Sequence, residues 1–390
     1  MKFKNKAFYS ISAIAFCLPL LASAGEPVLK DVKYNFDEAK VQAAKNSFHF
    51  LRSFVDLFYL SYKENESSLP AISKLSIERG WCVGDAHAEN FGAVLLDNET
   101  SIFTMNDMDD SGHCPIGLDL YRLLVSTRLY NPQISLTKMV AAYVDGTKNT
   151  PYEMPASIQE MMTKSVEKGI KPKKSKVAKH RIVRTKLMIE VTEAERAQIL
   201  EALNQFRSKL APDFQVLDLV STSKIGGGSG GLLRYEVLLN NGGVQLHLEF
   251  KEEVKASIYP VASSLPDTKT RIERTLKIDQ GPGASRFYGV VEIGGKDMLV
   301  RPRFAGNIGV SLAKQSDASA DSEDEDSSQS SDTTAIILFE AYTLGKIHTH
   351  SITNSEEWTA MVKAIQASAW EHDVDLMVEY FQKKYDQIKK

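Results

Sequence analysis

Three residues sit at a spacing that suits phosphoryl transfer: Asp85, Asn90 and Asp107. They lie in Trp81-Cys82-Val83-Gly84-Asp85-Ala86-His87-Ala88-Glu89-Asn90-Phe91-Gly92 and in Ile102-Phe103-Thr104-Met105-Asn106-Asp107-Met108-Asp109-Asp110. That chemistry needs a carboxylate beside a nucleophile and hard oxygen ligands for a divalent cation. Asp85 suits the first role. Asn90, five residues on, and Asp107, ending the next short strand, suit the second.

A second group follows more than a hundred residues later. Gly226, Gly227, Gly228, Ser229, Gly230 and Gly231 form a glycine-rich turn between two expected strands. Backbone without side chains can approach phosphate oxygens and offer them its N–H groups. Lys251 ends the following strand, Leu248-Glu249-Phe250-Lys251. In protein kinases a strand lysine after a glycine loop pairs with nucleotide phosphates and with a helix glutamate. Glu273, on the next expected helix, is the candidate partner. Ordinary kinases place the glycine loop first. Here the acidic loop comes first, so a circular permutation cut just before that loop is expected, a change tolerated at exposed loops.

The elements that must carry these groups are legible in outline. Val41, Ala44, Phe48, Leu51, Val55, Phe58 and Tyr59 recur at helical spacing and predict one helix from Asp37 to about Glu64. Gly80–Val83, Ala93–Leu96 and Ser101–Met105 read as strands, and Leu118–Tyr130 and Ile134–Gly146 as helices. Thr192 with Glu195 is a capping box for a helix running to about Phe206. Val216–Ser221, Leu232–Leu239 and Val244–Lys251 read as strands, the last two joined by the hairpin signal Asn240-Asn241-Gly242-Gly243. Asp267–Lys277 reads as a helix and Phe287–Ile293 with Asp297–Phe304 as a hairpin. Ala335–His348 and Glu356–Ile388 are expected helices. The fold class expected is α+β in two lobes: a helical lobe over 25–150, a basic linker over 151–190, a β-rich lobe over 191–310, and helices over 335–390 that complete the first lobe.

Composition excludes little. The 390 residues are 43% hydrophobic and 25% charged, with a net charge of −3, so no global charge favours nucleic acid or an anionic membrane. Lysines and arginines crowd 164–186, but no aromatic residues interleave for base stacking, so a solvated surface is expected there. Lys2, Lys4 and Lys6 precede an apolar stretch from Ala7 to Leu21 and the small residues Ala22-Ser23-Ala24. This reads as a signal peptide over 1–24, which predicts export, most simply to a periplasm, with no membrane span left after cleavage. In that setting Cys82 and Cys114, flanking the two acidic motifs, either pair and pin the site or sit as two small buried residues. Asp317–Thr334 holds seven acidic residues among serines and alanines and is expected to be a disordered insertion.

Several blocks together resemble the bacterial domain-of-unknown-function 2252 family. They are Ser47-Phe48-His49-Phe50-Leu51-Arg52, Gly84–Gly92, Asn106-Asp107-Met108-Asp109-Asp110, Leu118-Asp119-Leu120-Tyr121-Arg122-Leu123, Gly228-Ser229-Gly230-Gly231, Phe250-Lys251-Glu252, Val300-Arg301 and Ile347-His348-Thr349-His350. The resemblance implies a fold similar to protein kinases and aminoglycoside phosphotransferases. By carry-over Asp85 is the catalytic base and His87 supports its loop. Asn90 and Asp107 are metal ligands, with Asp109 competing for the second place. The expected activity is a Mg²⁺-dependent phosphotransferase that uses a nucleoside triphosphate, with a small molecule or a protein as acceptor. Two other classes fit the same residues. One is a non-catalytic kinase-like binding module for a phosphorylated small molecule. The other is a metal-dependent phosphoesterase with Asp85 and His87 as ligands, which would need further histidine clusters beyond the single close pair His348 and His350.

Overall fold

Strict alternation in three strand-forming segments builds the largest sheet. The computed structural model describes residues 28–312 and 333–390. The expected signal peptide and nearly all of the acidic segment lie outside them. Six antiparallel strands run in the order Gly289–Ile293, Lys296–Pro302, Val244–Glu252, Arg234–Asn241, Gln215–Thr222 and Met188–Glu190. Successive side chains on a strand point to opposite faces. Tyr235, Val237, Leu239, Leu246, Leu248, Phe250, Met298 and Val300 therefore share one face, where they pack with Ile199, Ala202 and Leu203 of the helix Glu193–Gln205. Thr192 and Glu195 cap that helix reciprocally, as their spacing predicts. The Asn240–Gly243 hairpin forms, with Gly242 and Gly243 at positive φ.

A second, larger core is helical. Ser47–Ser53, Val55–Asn65, Gly117–Tyr130, Leu136–Thr147, Thr333–His348 and Ala367–Lys389 enclose it, together with two small sheets. One sheet pairs Arg79–Cys82 with Gly112–Pro115, and the other orders Ile308–Gly309, Phe91–Leu95 and Ser101–Met105. Two glycines set the closest helix crossing. A Cβ on Gly146 would lie 2.0 Å from the Tyr342 carbonyl, and one on Gly345 would lie 2.1 Å from the Tyr143 carbonyl. This crossing places His348 inside the core. The architecture is mixed α+β with several sheets. Among the described residues no helix is long and apolar enough to cross a membrane.

Three expected boundaries are corrected. The single helix over Asp37–Glu64 is three: Glu38–Ala43, Ser47–Ser53 and Val55–Asn65. Asn46 is extended and its side chain accepts from His49 N, starting a new helix. Glu356–Ile388 is two helices, Ser355–Ala364 and Ala367–Lys389, broken where Ile365 turns extended. The basic stretch is not all linker. The stretch expected as a linker, 151–190, contains the whole helix Ala156–Lys168, a small hairpin, Val177–Ala178 with Arg181–Ile182, and the strand Met188–Glu190 of the large sheet.

Candidate active site

Gly84 makes the turn that presents Asp85. Its φ is +96°, and a Cβ there would meet the Asp110 carbonyl oxygen at 2.2 Å, so only glycine fits. The turn is locked from below by Asp119, which is fully buried on the helix Gly117–Tyr130. Asp119 accepts from Val83 N at 2.7 Å and Gly84 N at 3.1 Å. His348 Nε2 lies 3.1 Å from the same carboxylate, and Tyr143 Oη lies 2.7 Å from His348 Nδ1. Tyr59 Oη donates to the Gly84 carbonyl. A disulfide between Cys82 and Cys114, with Cα atoms 5.8 Å apart, ties the strand before the turn to the strand after Asp110.

Asp85 itself is held by Arg122. The guanidinium donates to Oδ1 through Nε at 2.7 Å and also through Nη2. Burial pushes the Asp85 carboxyl up from its ordinary range, and Arg122 opposes that push. His87 Nε2 is 3.6 Å from the other Asp85 oxygen, while its Nδ1 accepts from Glu89 N. Burial, then Arg52 and Arg122, press the His87 ring well below its usual range. It is therefore a neutral neighbour, with its Nε2 proton turned toward Asp85. Asn90 Nδ2 donates to the Asp85 carbonyl at 2.8 Å, which leaves its amide oxygen as the atom a cation could use.

Lys251 reaches the same cleft from the large sheet. It is 1% exposed and ion-pairs with Asp109; Glu253 lies 3.5 Å and Asp107 4.0 Å from its ammonium. Asp107 also meets Arg301 Nη1 at 3.3 Å. Burial pushes the Asp107 carboxyl up, but Lys251, Arg301, Lys224 and Arg234 outweigh it and hold the group well below the carboxylate range. Asp109 Oδ1 is buried without a hydrogen-bond partner. Asp110 is pushed up to about 6, first by burial and then by Asp85, although its Oδ1 accepts from Ser257 N.

Glu273 is not the partner of Lys251. The helix Thr268–Asp279 buries Arg271, Ile272, Thr275 and Leu276, which leaves Glu273 exposed beside a cavity with Lys209 and Lys277. Glu253 takes the place expected of it, and Arg271 supports Glu253 at 3.1 Å. The glycine turn is partly closed on itself: Gly230 N donates to Gly227 O and Gly231 N to Lys224 O. Lys40 Nζ donates to the Gly228 carbonyl at 2.7 Å, and Ser229 Oγ accepts from Arg234 at 2.6 Å. The turn thus touches the helical core and orients one of the cleft arginines. Sequence reasoning gave Arg122, Arg234 and Arg301 no role. An arginine inside the apolar run Leu120-Tyr121-Arg122-Leu123-Leu124 was the available signal, because a buried cation needs a carboxylate.

A family model described as an uncharacterized protein conserved in bacteria, DUF2252, matches residues 40–144 and 134–389. The chain belongs to this family. The DUF2252 match spans the Asp85 turn, the Asp107 strand, the glycine turn and Lys251 alike. No curated protein and no solved structure shows a significant match.

Among the described residues of this DUF2252 protein, no group of three His, Cys, Asp or Glu side chains is arranged to hold a metal alone. The donor set still fits Mg²⁺. That ion is commonly bound by one or two carboxylates, with waters and substrate phosphates filling its other positions. Asp107 and the unpartnered Oδ1 of Asp109 could supply such carboxylates, and the Asn90 amide oxygen could add a further ligand.

Proposed function

We propose that this protein is a Mg²⁺-dependent phosphotransferase with a kinase-like, circularly permuted arrangement, acting on an acceptor hydroxyl. The observation that carries the reading is the meeting of Lys251 with Asp109 and Asp107. It joins the sheet that follows the glycine turn to the strand that follows the Asp85 loop. Asp85 accepts the hydroxyl proton, a contribution of roughly 10²–10⁴-fold in rate. Arg122 opposes the upward push of burial on that carboxylate and holds its Oδ1. His87, neutral and hydrogen-bonded to the loop backbone, holds the loop's shape. Asp107, Asp109 and Asn90 would hold Mg²⁺, which supplies charge neutralisation at the transferring phosphoryl group. Lys251, Lys224 and Arg301 add to that neutralisation. The donor is a phosphoanhydride, and nucleoside triphosphates are the class expected from the kinase resemblance. A phosphoesterase reading, with Asp85 and His87 as ligands, is weaker, because the further histidines it would need are committed elsewhere: His348 to Asp119 and His350 to the Ile278 carbonyl.

Calorimetric titration with phosphoanhydrides and Mg²⁺, alongside single-turnover assays, tests the assignment. Asp85→Asn should bind donor and metal nearly as the wild type does while turnover falls by roughly 10²-fold or more. Asp107→Asn should weaken metal-dependent binding itself. Comparable loss of metal binding in both variants would overturn the base assignment. A wild type that binds phosphoanhydride but never transfers phosphate would favour the binding-module reading.

A further inference from the structure

The glycine turn joins two strands of the large sheet, Gln215–Thr222 and Arg234–Asn241, yet it is held from the helical side of the cleft. A Cβ on Gly226 would lie 3.1 Å from the Ala43 methyl. One on Gly228 would lie 3.1 Å from Val55 Cγ2 and 3.5 Å from the Arg52 carbonyl oxygen. Lys40 Nζ adds its hydrogen bond to the Gly228 carbonyl. The helices Glu38–Ala43, Ser47–Ser53 and Val55–Asn65 thus all meet the turn. On its other side the turn reaches the cleft. Ser229 Oγ accepts from Arg234 Nη2 at 2.6 Å, and the ion pairs continue from Arg234 through Glu249 and Arg301 to Asp107.

Of the three helices, Glu38–Ala43 is the weakest. It has six residues, well below the length at which a helix persists by itself. Within 37–46 only Val41 and Ala44 are buried. Its C-terminal carbonyls are gathered by one side chain from the helix Ala367–Lys389. Lys389 Nζ donates to Val41 O at 3.1 Å, Gln42 O at 2.8 Å and Ala44 O at 3.0 Å. Three ammonium donors meet three acceptors, at the helix end where a cation is favoured. Segments with few buried apolar contacts and surface hydrogen bonds open locally at small free-energy cost. The turn is free at its far end, because a Cβ on Gly231 would meet nothing within 4 Å.

We propose that the helix Glu38–Ala43 is a latch, kept by Lys389, that holds the glycine turn against the helical core and opens the cleft when it is released. Release withdraws Ser229 from Arg234 and leaves that arginine's Nη2 to a ligand. Lys389 is a positioning residue, acting on the turn through the helix it caps. The latch governs entry, so it stands whether or not phosphoryl transfer is the chemistry inside.

Two probes of the full chain test it without a ligand. Trypsin cleavage after Lys224, an exposed residue at the start of the turn, reports the turn. Acylation of Lys251, 1% exposed, by a small amine reagent reports the cleft. Lys40→Ala and Lys389→Met should each raise both rates about tenfold, the scale of one hydrogen bond from a charged group. Amide exchange in the Asn240–Gly243 hairpin, at the other end of the same strand, should not change. Unchanged cleavage after Lys224 in Lys389→Met would overturn the latch. Faster cleavage with unchanged acylation of Lys251 would show that the turn does not govern the cleft, and would overturn it too. Equal acceleration at the hairpin would mean general loosening and would also overturn it.

Discussion

Replacing Asp119 should release the turn that presents Asp85, at a cost that can be worked from its contacts. The carboxylate serves three buried donors: Val83 N, Gly84 N and His348 Nε2. A buried donor left without an acceptor costs about 1–3 kcal/mol. Asp119→Ala strands both backbone N–H groups, which gives about 2–6 kcal/mol before the histidine is counted. Asp119→Asn keeps one acceptor oxygen and strands one donor, so it should cost about 1–3 kcal/mol. The alanine variant should therefore lose roughly twice as much as the asparagine variant, against a total of about 5–15 kcal/mol for an ordinary domain. Urea unfolding at constant m-value measures both, and hydrogen exchange at the Val83 and Gly84 amides localises the effect. An alanine variant that loses less than about 1 kcal/mol, or leaves those two amides as protected as before, would refute the lock.

Two further outcomes follow from burial and cross-linking. Burial raises the Asp279 carboxyl to about 7, against the Thr104 hydroxyl that donates to it. The folded chain thus holds this proton more tightly than the unfolded chain, and stability is lost as pH rises from about 4 through 7. Asp279→Asn should be the more stable protein at pH 8, by at most about 4 kcal/mol, and should lose that advantage at pH 4; equal urea midpoints at pH 8 would count against it. Reduction of Cys82–Cys114, which closes a loop of sequence separation 32, should cost between about 3 and 4.7 kcal/mol. A chain lacking residues 1–24 should titrate no free thiol until a reductant is added.

The sequence was most readable where a local rule acts alone. The capping box at Thr192, the hairpin at Asn240–Gly243 and the strand around Lys251 each depend on neighbours in the chain. The break at Asn46 was also local, but the apolar stripe running across it read as one helix. The partner of Lys251 was harder. A helix glutamate and two nearby aspartates were all available, and the choice depends on which side of Thr268–Asp279 faces the sheet. Arg122 shows the same limit from the other direction. Its need for a carboxylate was visible, whereas its pairing with Asp85 depends on how the helix Gly117–Tyr130 packs beneath the turn. The charges that Lys251, Glu249 and Arg234 bring to the sheet alternate with core residues in Arg234-Tyr235-Glu236-Val237 and His247-Leu248-Glu249-Phe250-Lys251, yet period two alone does not say which face meets the site.

The lock beneath Asp85 also sets an order of events during synthesis. Asp119 secures Gly84, but His348, which steadies Asp119, lies 229 residues further along the chain. Asp373, later still, accepts from the amides of Ala71 and Ile72 at the start of a helix near the beginning. Contacts so distant in sequence close late, because the intervening chain must first be brought together. As the polypeptide leaves the ribosome, the acidic loop emerges early and waits for the last eighth of the protein to fix it. A nascent chain halted before His348 carries every acidic residue of the cleft but lacks the histidine that steadies Asp119 beneath the turn.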